Sequence, residues 1–197
     1  TNLGMPRDGR KRELKFATEK YWRQEITASE LLSTATDVVD DIYSQQLNAG
    51  IDLIPVNDFS FYDRVLDLCC LLSVTPERFS QDVKPIFLDE YFRFARGDGN
   101  IAAMEMTKWF DTNYHYLVPE IEATTNPSFS DKLFAQQVLP ELNSKKQKFC
   151  LIGPVTFLAL AKSADSVDKY SIKKELSKAY TDLLNHIENL GYTNFQI

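Results

Sequence analysis

No stretch of this sequence approaches the ~20 consecutive apolar residues needed to cross a bilayer. Its opening residues, Thr1-Asn2-Leu3-Gly4-Met5-Pro6-Arg7, also lack a basic segment followed by an apolar one, so a cytoplasmic protein is expected. Cysteine is scarce. Cys69, Cys70 and Cys150 are odd in number and have no metal-like spacing, which argues for reduced, mostly buried thiols rather than a disulfide framework. Histidine is scarcer still, with only His115 and His186, and nothing in the chain assembles a zinc site. Basic charge is in overall deficit: a net charge of −6 argues against a nucleic-acid-binding face. There is no internal repeat, low-complexity tract or linker, so residues 1–197 are read as one domain.

What is present is the composition of a folded domain, with 44% hydrophobic and 25% charged residues in a chain long enough to bury a core. From Ala28 to Ala49, Leu31, Leu32, Ala35, Val38, Val39, Ile42, Tyr43 and Leu47 recur at helical spacing. Thr27 with Glu30 predicts a capping box and Gly50 a stop. The apolar run Ile51-Asp52-Leu53-Ile54, closed by Pro55, reads as a buried strand. Further strands are expected near Met106–Phe110 and over Phe149–Ile152, with a helix over Asp131–Leu142. Ile172, Leu176, Ala179, Tyr180, Leu183, Leu184, Ile187 and Leu190 mark a last helix, stopped at Gly191 before a strand at Phe195–Ile197. With one more strand near Leu3, about five strands alternate with helices. That is an α/β pattern with a parallel sheet, either a barrel or a doubly wound sheet.

Three segments carry the candidate chemistry. Arg7, Arg10, Lys11, Arg12 and Lys15 put five cations into nine residues at a helix start, where acidic side chains are normally favoured. This is either a solvated basic loop or a place for a carboxylate or phosphate on free N–H groups. Asp58-Phe59-Ser60-Phe61-Tyr62-Asp63 follows a strand. Its aromatics between two carboxylates would hold a flat heterocycle, although capping of the next helix alone accounts for Asp63. Glu105 to Tyr116 is the densest polar and aromatic cluster. Within it, Lys108 in an apolar strand needs an anion nearby, either a ligand or a structural partner in Glu105 or Asp111. His115 is either a general base or a hydrogen-bonded structural residue.

Taken in order, these segments resemble the N-terminal domain of cobalamin-independent methionine synthase, the 5-methyltetrahydropteroyltriglutamate–homocysteine S-methyltransferase family. The resemblance rests on Gly4-Met5-Pro6-Arg7 with Arg12-Glu13-Leu14-Lys15, Ala49 to Pro55, Asn57 to Asp63, Met106 to Tyr116, and Leu151-Ile152-Gly153-Pro154-Val155-Thr156-Phe157. It implies an incomplete (β/α)8 TIM-type barrel of about five parallel strands, and a folate polyglutamate held by Arg12, Glu13, Leu14, Lys15 and Lys108. It also implies that homocysteine and zinc belong to a C-terminal barrel absent from this chain, that no cobalamin takes part, and that no residue here is catalytic or a metal ligand. Asp8 departs from the family's usual apolar residue, and the chain stops where the family continues into another strand. A fragment inactive by itself is therefore expected, with an open strand that invites self-association. A stand-alone folate-binding module is the rival reading. Neither a membrane nor a nucleic acid is an expected partner.

Overall fold

The computed structural model describes residues 1–80, 84, 87–136 and 138–197. Along the chain the regular elements are α1 (Glu13–Trp22), α2 (Ala28–Asn48), β1 (Ile54–Val56), α3 (Arg64–Leu71), α4 (Phe87–Arg96), β2 (Met106–Lys108), β3 (His115–Leu117), β4 (Glu120–Ile121), β5 (Gln147–Cys150), α5 (Pro154–Leu160), β6 (Lys162–Ser163), α6 (Lys173–Asn189) and β7 (Phe195–Gln196). They fall into two units, the first formed by Thr1–Phe61, Gln137–Leu151 and Ile187–Ile197, the second by Tyr62–Gln136 and Ile152–His186.

In the first unit α1 and α2 accompany a three-stranded parallel sheet of order β1-β5-β7. The start of α2 forms as the sequence predicts. The Thr27 hydroxyl accepts from the Glu30 amide at 3.3 Å, and the Glu30 carboxylate accepts from the Thr27 amide at 2.7 Å. Leu31, Ala35, Val38 and Val39 form its buried stripe. At the other end the Gly50 and Ile51 amides bond back to the Leu47 and Gln46 carbonyls, closing the helix.

β1 lies further along the chain than the sequence suggests. Ile51 is irregular and Asp52 and Leu53 form a bend, and Pro55, taken as the strand's end, is its middle residue, paired with Lys148. Proline is tolerated there because, among the described residues, β1 bonds to β5 on one side only, so no second neighbour needs the missing N–H. The strand expected near Leu3 does not form, and Leu3 is 89% exposed in an irregular segment.

The second unit holds α3, α4, α5, α6 as far as His186, and two small sheets. β2 and β3 form an antiparallel ribbon, with Lys108 opposite His115, whereas β4 and β6 pair in parallel. The Met106–Phe110 strand is therefore shorter than expected and runs antiparallel to its neighbour. The helix expected over Asp131–Leu142 is a 3-10 turn at Asp131–Gln136, with Gln137 outside the described residues. The fold is thus α/β, with parallel pairing in two of the three sheets among the described residues, and no closed barrel forms among those residues. Cys69 and Cys70 lie buried on α3, where burial pushes both thiols well above their ordinary range. No helix among the described residues is long and apolar enough to cross a membrane.

Candidate functional site

The basic segment is a shaped loop. Gly4 has φ +106°, and a Cβ there would lie 2.3 Å from the Asp58 carboxylate, so only glycine permits this approach. The same carboxylate oxygen accepts from the Met5 amide at 3.4 Å, and the Arg7 guanidinium donates to the Ser60 carbonyl at 2.7 Å. Asn57 donates to the Cys150 carbonyl at 2.8 Å, joining the ends of β1 and β5. Two of the sequence-selected segments therefore meet within the first unit. A small cavity of about 20 Å³ is lined by Met5, Arg7, Tyr43, Gln46 and Asn57 and is large enough for a water molecule.

Past this anchor the loop turns into α1. Arg12 takes a left-handed conformation (φ 63°) as the N-cap and offers no side-chain cap. The Glu13 carboxylate folds back to accept from the Lys11 amide at 2.8 Å, lying where a Cβ on Gly9 would come within 2.3 Å of it. The charges divide unequally. Arg10 is held by Asp41 through two contacts of 3.0 and 3.2 Å, and Lys15 lies 3.6 Å from Glu19 on the next turn. Lys11 and Arg12 are exposed and form no ion pair among the described residues; Arg12 lies 6.0 Å from the Phe16 ring centre. The Leu14 amide bonds to the Asp8 carbonyl, whereas the Glu13 and Lys15 amides bond to no described residue. Leu14 itself is 2% exposed, so its side chain belongs to the core. The turn thus presents two free N–H groups and a small excess of cations, the chemistry that receives a carboxylate.

Lys108 belongs to the second unit and does not lie in an apolar strand. It ends β2 in an exposed position, with Met106 exposed two residues before it, and makes no ion pair among the described residues. Neither expected structural partner, Glu105 or Asp111, pairs with it among the described residues: Glu105 pairs with Lys162, and a lysine in water needs no counter-ion. A buried strand lysine occurs instead in the first unit, held by neutral acceptors. There Lys148 on β5, 6% exposed, donates to the Asn2 carbonyl at 2.9 Å and to the Gln196 side chain.

Beyond Lys108 the chain makes a tight turn. Trp109 N–H donates to the Tyr114 carbonyl at 2.7 Å, Thr112 Oγ1 donates to the Trp109 carbonyl at 2.6 Å, and Phe110 at the tip is 71% exposed with φ 50°. Trp109 meets Tyr114 and Tyr116 edge-on, with ring centres 6.4 and 5.8 Å away. His115 Nδ1 lies 3.1 Å from the Asn113 carbonyl on this exposed ribbon.

Sequence reasoning missed one participant's full role. Asp63 caps α3 through the Leu66 amide at 3.0 Å, as expected, but also accepts from Leu117 N–H at 3.1 Å and Tyr114 O–H at 2.8 Å. Those partners lie 54 and 51 residues away, beyond any local signal. A cavity of about 480 Å³ elsewhere in this unit, lined by Phe79, Phe87, Phe94 and Lys132, includes none of the candidate residues. No group of three or more His, Cys, Asp or Glu side chains among the described residues could hold a metal ion.

Over residues 1–197 the chain matches the family described as cobalamin-independent synthase, N-terminal domain. It is 42% identical over 197 residues to the 5-methyltetrahydropteroyltriglutamate–homocysteine methyltransferase of Neisseria meningitidis serogroup B, covering 98% of this chain and 26% of that protein. It is 39% identical over 208 residues to the protein of the same name from Salinibacter ruber, covering 100% and 27%. For that of Histophilus somni the identity is 40% over 197 residues, covering 99% and 26%. The chain thus spans about a quarter of the length of these relatives.

Proposed function

The chain belongs to the cobalamin-independent methionine synthase family, as its N-terminal domain, and from that premise we propose that it holds the polyglutamate tail of the methyl-folate substrate. The methyl group of 5-methyltetrahydropteroyltriglutamate would pass to homocysteine elsewhere in a longer enzyme. The observation that carries this reading is the start of α1, where two unbonded amides sit with exposed Lys11 and Arg12 and with Lys15. Such a turn suits a carboxylate of the tail. Lys108, on the second unit, is exposed and without an ion pair among the described residues, and is a separate candidate cation for an anionic ligand. Glu13 shapes the turn, and Leu14 contributes through the core beneath it.

The reading carries a finer fold with it, a (β/α)8 barrel begun by the parallel β1-β5-β7 sheet, and a cytoplasmic location. Zinc, which in this family activates the homocysteine thiol, does not fit the described residues, which offer no group of three or more His, Cys, Asp or Glu side chains to hold it. This chain's part is binding, and methyl transfer by it alone is not expected.

Calorimetric titration with triglutamyl and monoglutamyl methyl-folate tests the proposal. Tail-dependent binding, weakened about tenfold in Lys15→Ala and in Lys108→Ala, is the expected result for loss of a charged hydrogen bond. Equal affinity for both ligands, or no effect of either substitution, would remove the anion role from these residues.

A further inference from the structure

We propose that Asp63 is the positioning residue for Lys108, fastening the β2–β3 ribbon to the start of α3 so that the ammonium is presented in one place. The inference rests on the reading of Lys108 as an anion contact.

Capping a helix of this length needs one oxygen on one amide, which Asn, Ser or Thr supplies as well as Asp. Asp63 does more. Oδ2 is shared between Leu66 N–H on α3 and Leu117 N–H on β3, and Oδ1 takes the Tyr114 hydroxyl. A carboxylate that is 1% exposed would be costly without donors, and these three supply them from two separate parts of the unit. Its backbone is fixed as well: the Tyr62 and Asp63 amides donate to the Tyr91 hydroxyl at 3.2 and 3.3 Å, which in turn donates to Asp67 at 2.7 Å.

From Asp63 the constraint reaches Lys108 through consecutive contacts. Tyr114 is held by its hydroxyl, its carbonyl accepts from Trp109 N–H, its amide donates to Thr112 Oγ1 at 3.2 Å, and its ring meets the Trp109 indole. Trp109 is the next residue after Lys108, and Leu117, held by the other carboxylate oxygen, is on the strand paired with β2. A two-stranded ribbon of three residues per strand is too short to hold itself in one orientation. The buried carboxylate gives it one.

The test is a double-mutant cycle read together with amide exchange on this chain. Lys108→Ala is expected to weaken triglutamyl methyl-folate about tenfold in the parent, and less than about threefold when Tyr114→Phe or Asp63→Ala is already present. A side chain that only stabilises the fold would leave the Lys108 penalty unchanged. The Trp109 amide, which does not touch Asp63, should exchange about tenfold faster in both background variants. An undiminished Lys108 penalty, or unaltered Trp109 exchange in folded variants, overturns the proposal. If Asp63→Ala fails to fold, Tyr114→Phe, which removes one hydroxyl from a residue 47% exposed, decides alone. A silent Lys108→Ala in the parent would instead defeat the anion reading. Trp109 exchange would then still decide whether Asp63 anchors the ribbon.

Discussion

Glu13 places a carboxylate in the middle of the surface proposed to receive an anion, and its geometry explains how that would be tolerated. The side chain turns back onto the Lys11 amide and rests against Gly9, so its charge serves the loop that carries Lys11 and Arg12. The Gly9 conformation (φ 78°) and this contact depend on one another, because any Cβ would displace the carboxylate. Two substitutions separate holding from charge. Glu13→Ala removes the acceptor of a loop amide and is expected to cost about 1 kcal/mol of stability, measured from urea midpoints at constant slope. Glu13→Gln keeps an acceptor oxygen and should stay within about 0.5 kcal/mol of the parent. Since it also removes a negative charge beside the ligand, it should tighten binding of the triglutamyl tail. Weaker binding by Glu13→Gln would mean that the carboxylate itself meets the ligand, on a donor group rather than on the tail.

Among the elements, those the sequence announces are those closed by local bonds. The capping box of α2 joins residues three apart, its stop uses the next turn, and both appear where the spacing puts them. The apolar stripe of α6 is equally local, and Leu176, Ala179, Leu183 and Ile187 are buried as its period requires. The antiparallel partner of β2 and the passage of β1 through Pro55 depend on which strand lies alongside, and no residue in those strands encodes that. Lys108 was misplaced for the same reason: its apolar neighbours suggested burial, but a two-stranded ribbon leaves Met106 and Phe110 in water. Of the candidate site, the charge of the α1 turn was legible and the bonds that set its shape were not. The α2 start also has a pH signature. The Thr27 amide, and then its hydroxyl, hold the Glu30 carboxyl below its ordinary value. A carboxyl with a depressed folded value contributes stability above its unfolded value and loses it as pH falls through the folded one. Below about pH 4.5 the parent should therefore lose stability more steeply than Glu30→Gln, in chemical unfolding at successive pH values. Thr27→Ala should cost about 1 kcal/mol at neutral pH and leave part of the acid dependence, because the amide donor remains. Parallel curves for parent and Glu30→Gln would show that Glu30 titrates alike in both states.

Across the whole molecule the charge balance opposes the proposed ligand. The chain carries −6, and a folate polyglutamate carries several carboxylates, so their long-range interaction is repulsive. The basic turn does not reverse this, since Arg10 faces Asp41 and Lys15 faces Glu19, leaving an attraction felt mainly at contact. Salt acts on the two ranges differently. At about 0.01 M ionic strength, with a Debye length of roughly 30 Å, an approaching tail feels the net charge; at about 0.15 M, near 8 Å, it feels little beyond the turn itself. Added salt should therefore leave the association rate level or raise it up to about threefold, because repulsion is screened. Dissociation should quicken, because the contacts with Arg12, Lys15 and Lys108 weaken, so that affinity falls through the off-rate. Stopped-flow measurement with triglutamyl methyl-folate separates the two. An association rate that drops steeply with salt would require a basic field reaching well beyond the α1 turn, which a molecule of this charge cannot project from the residues described. The anion would then be received on a surface other than the one proposed.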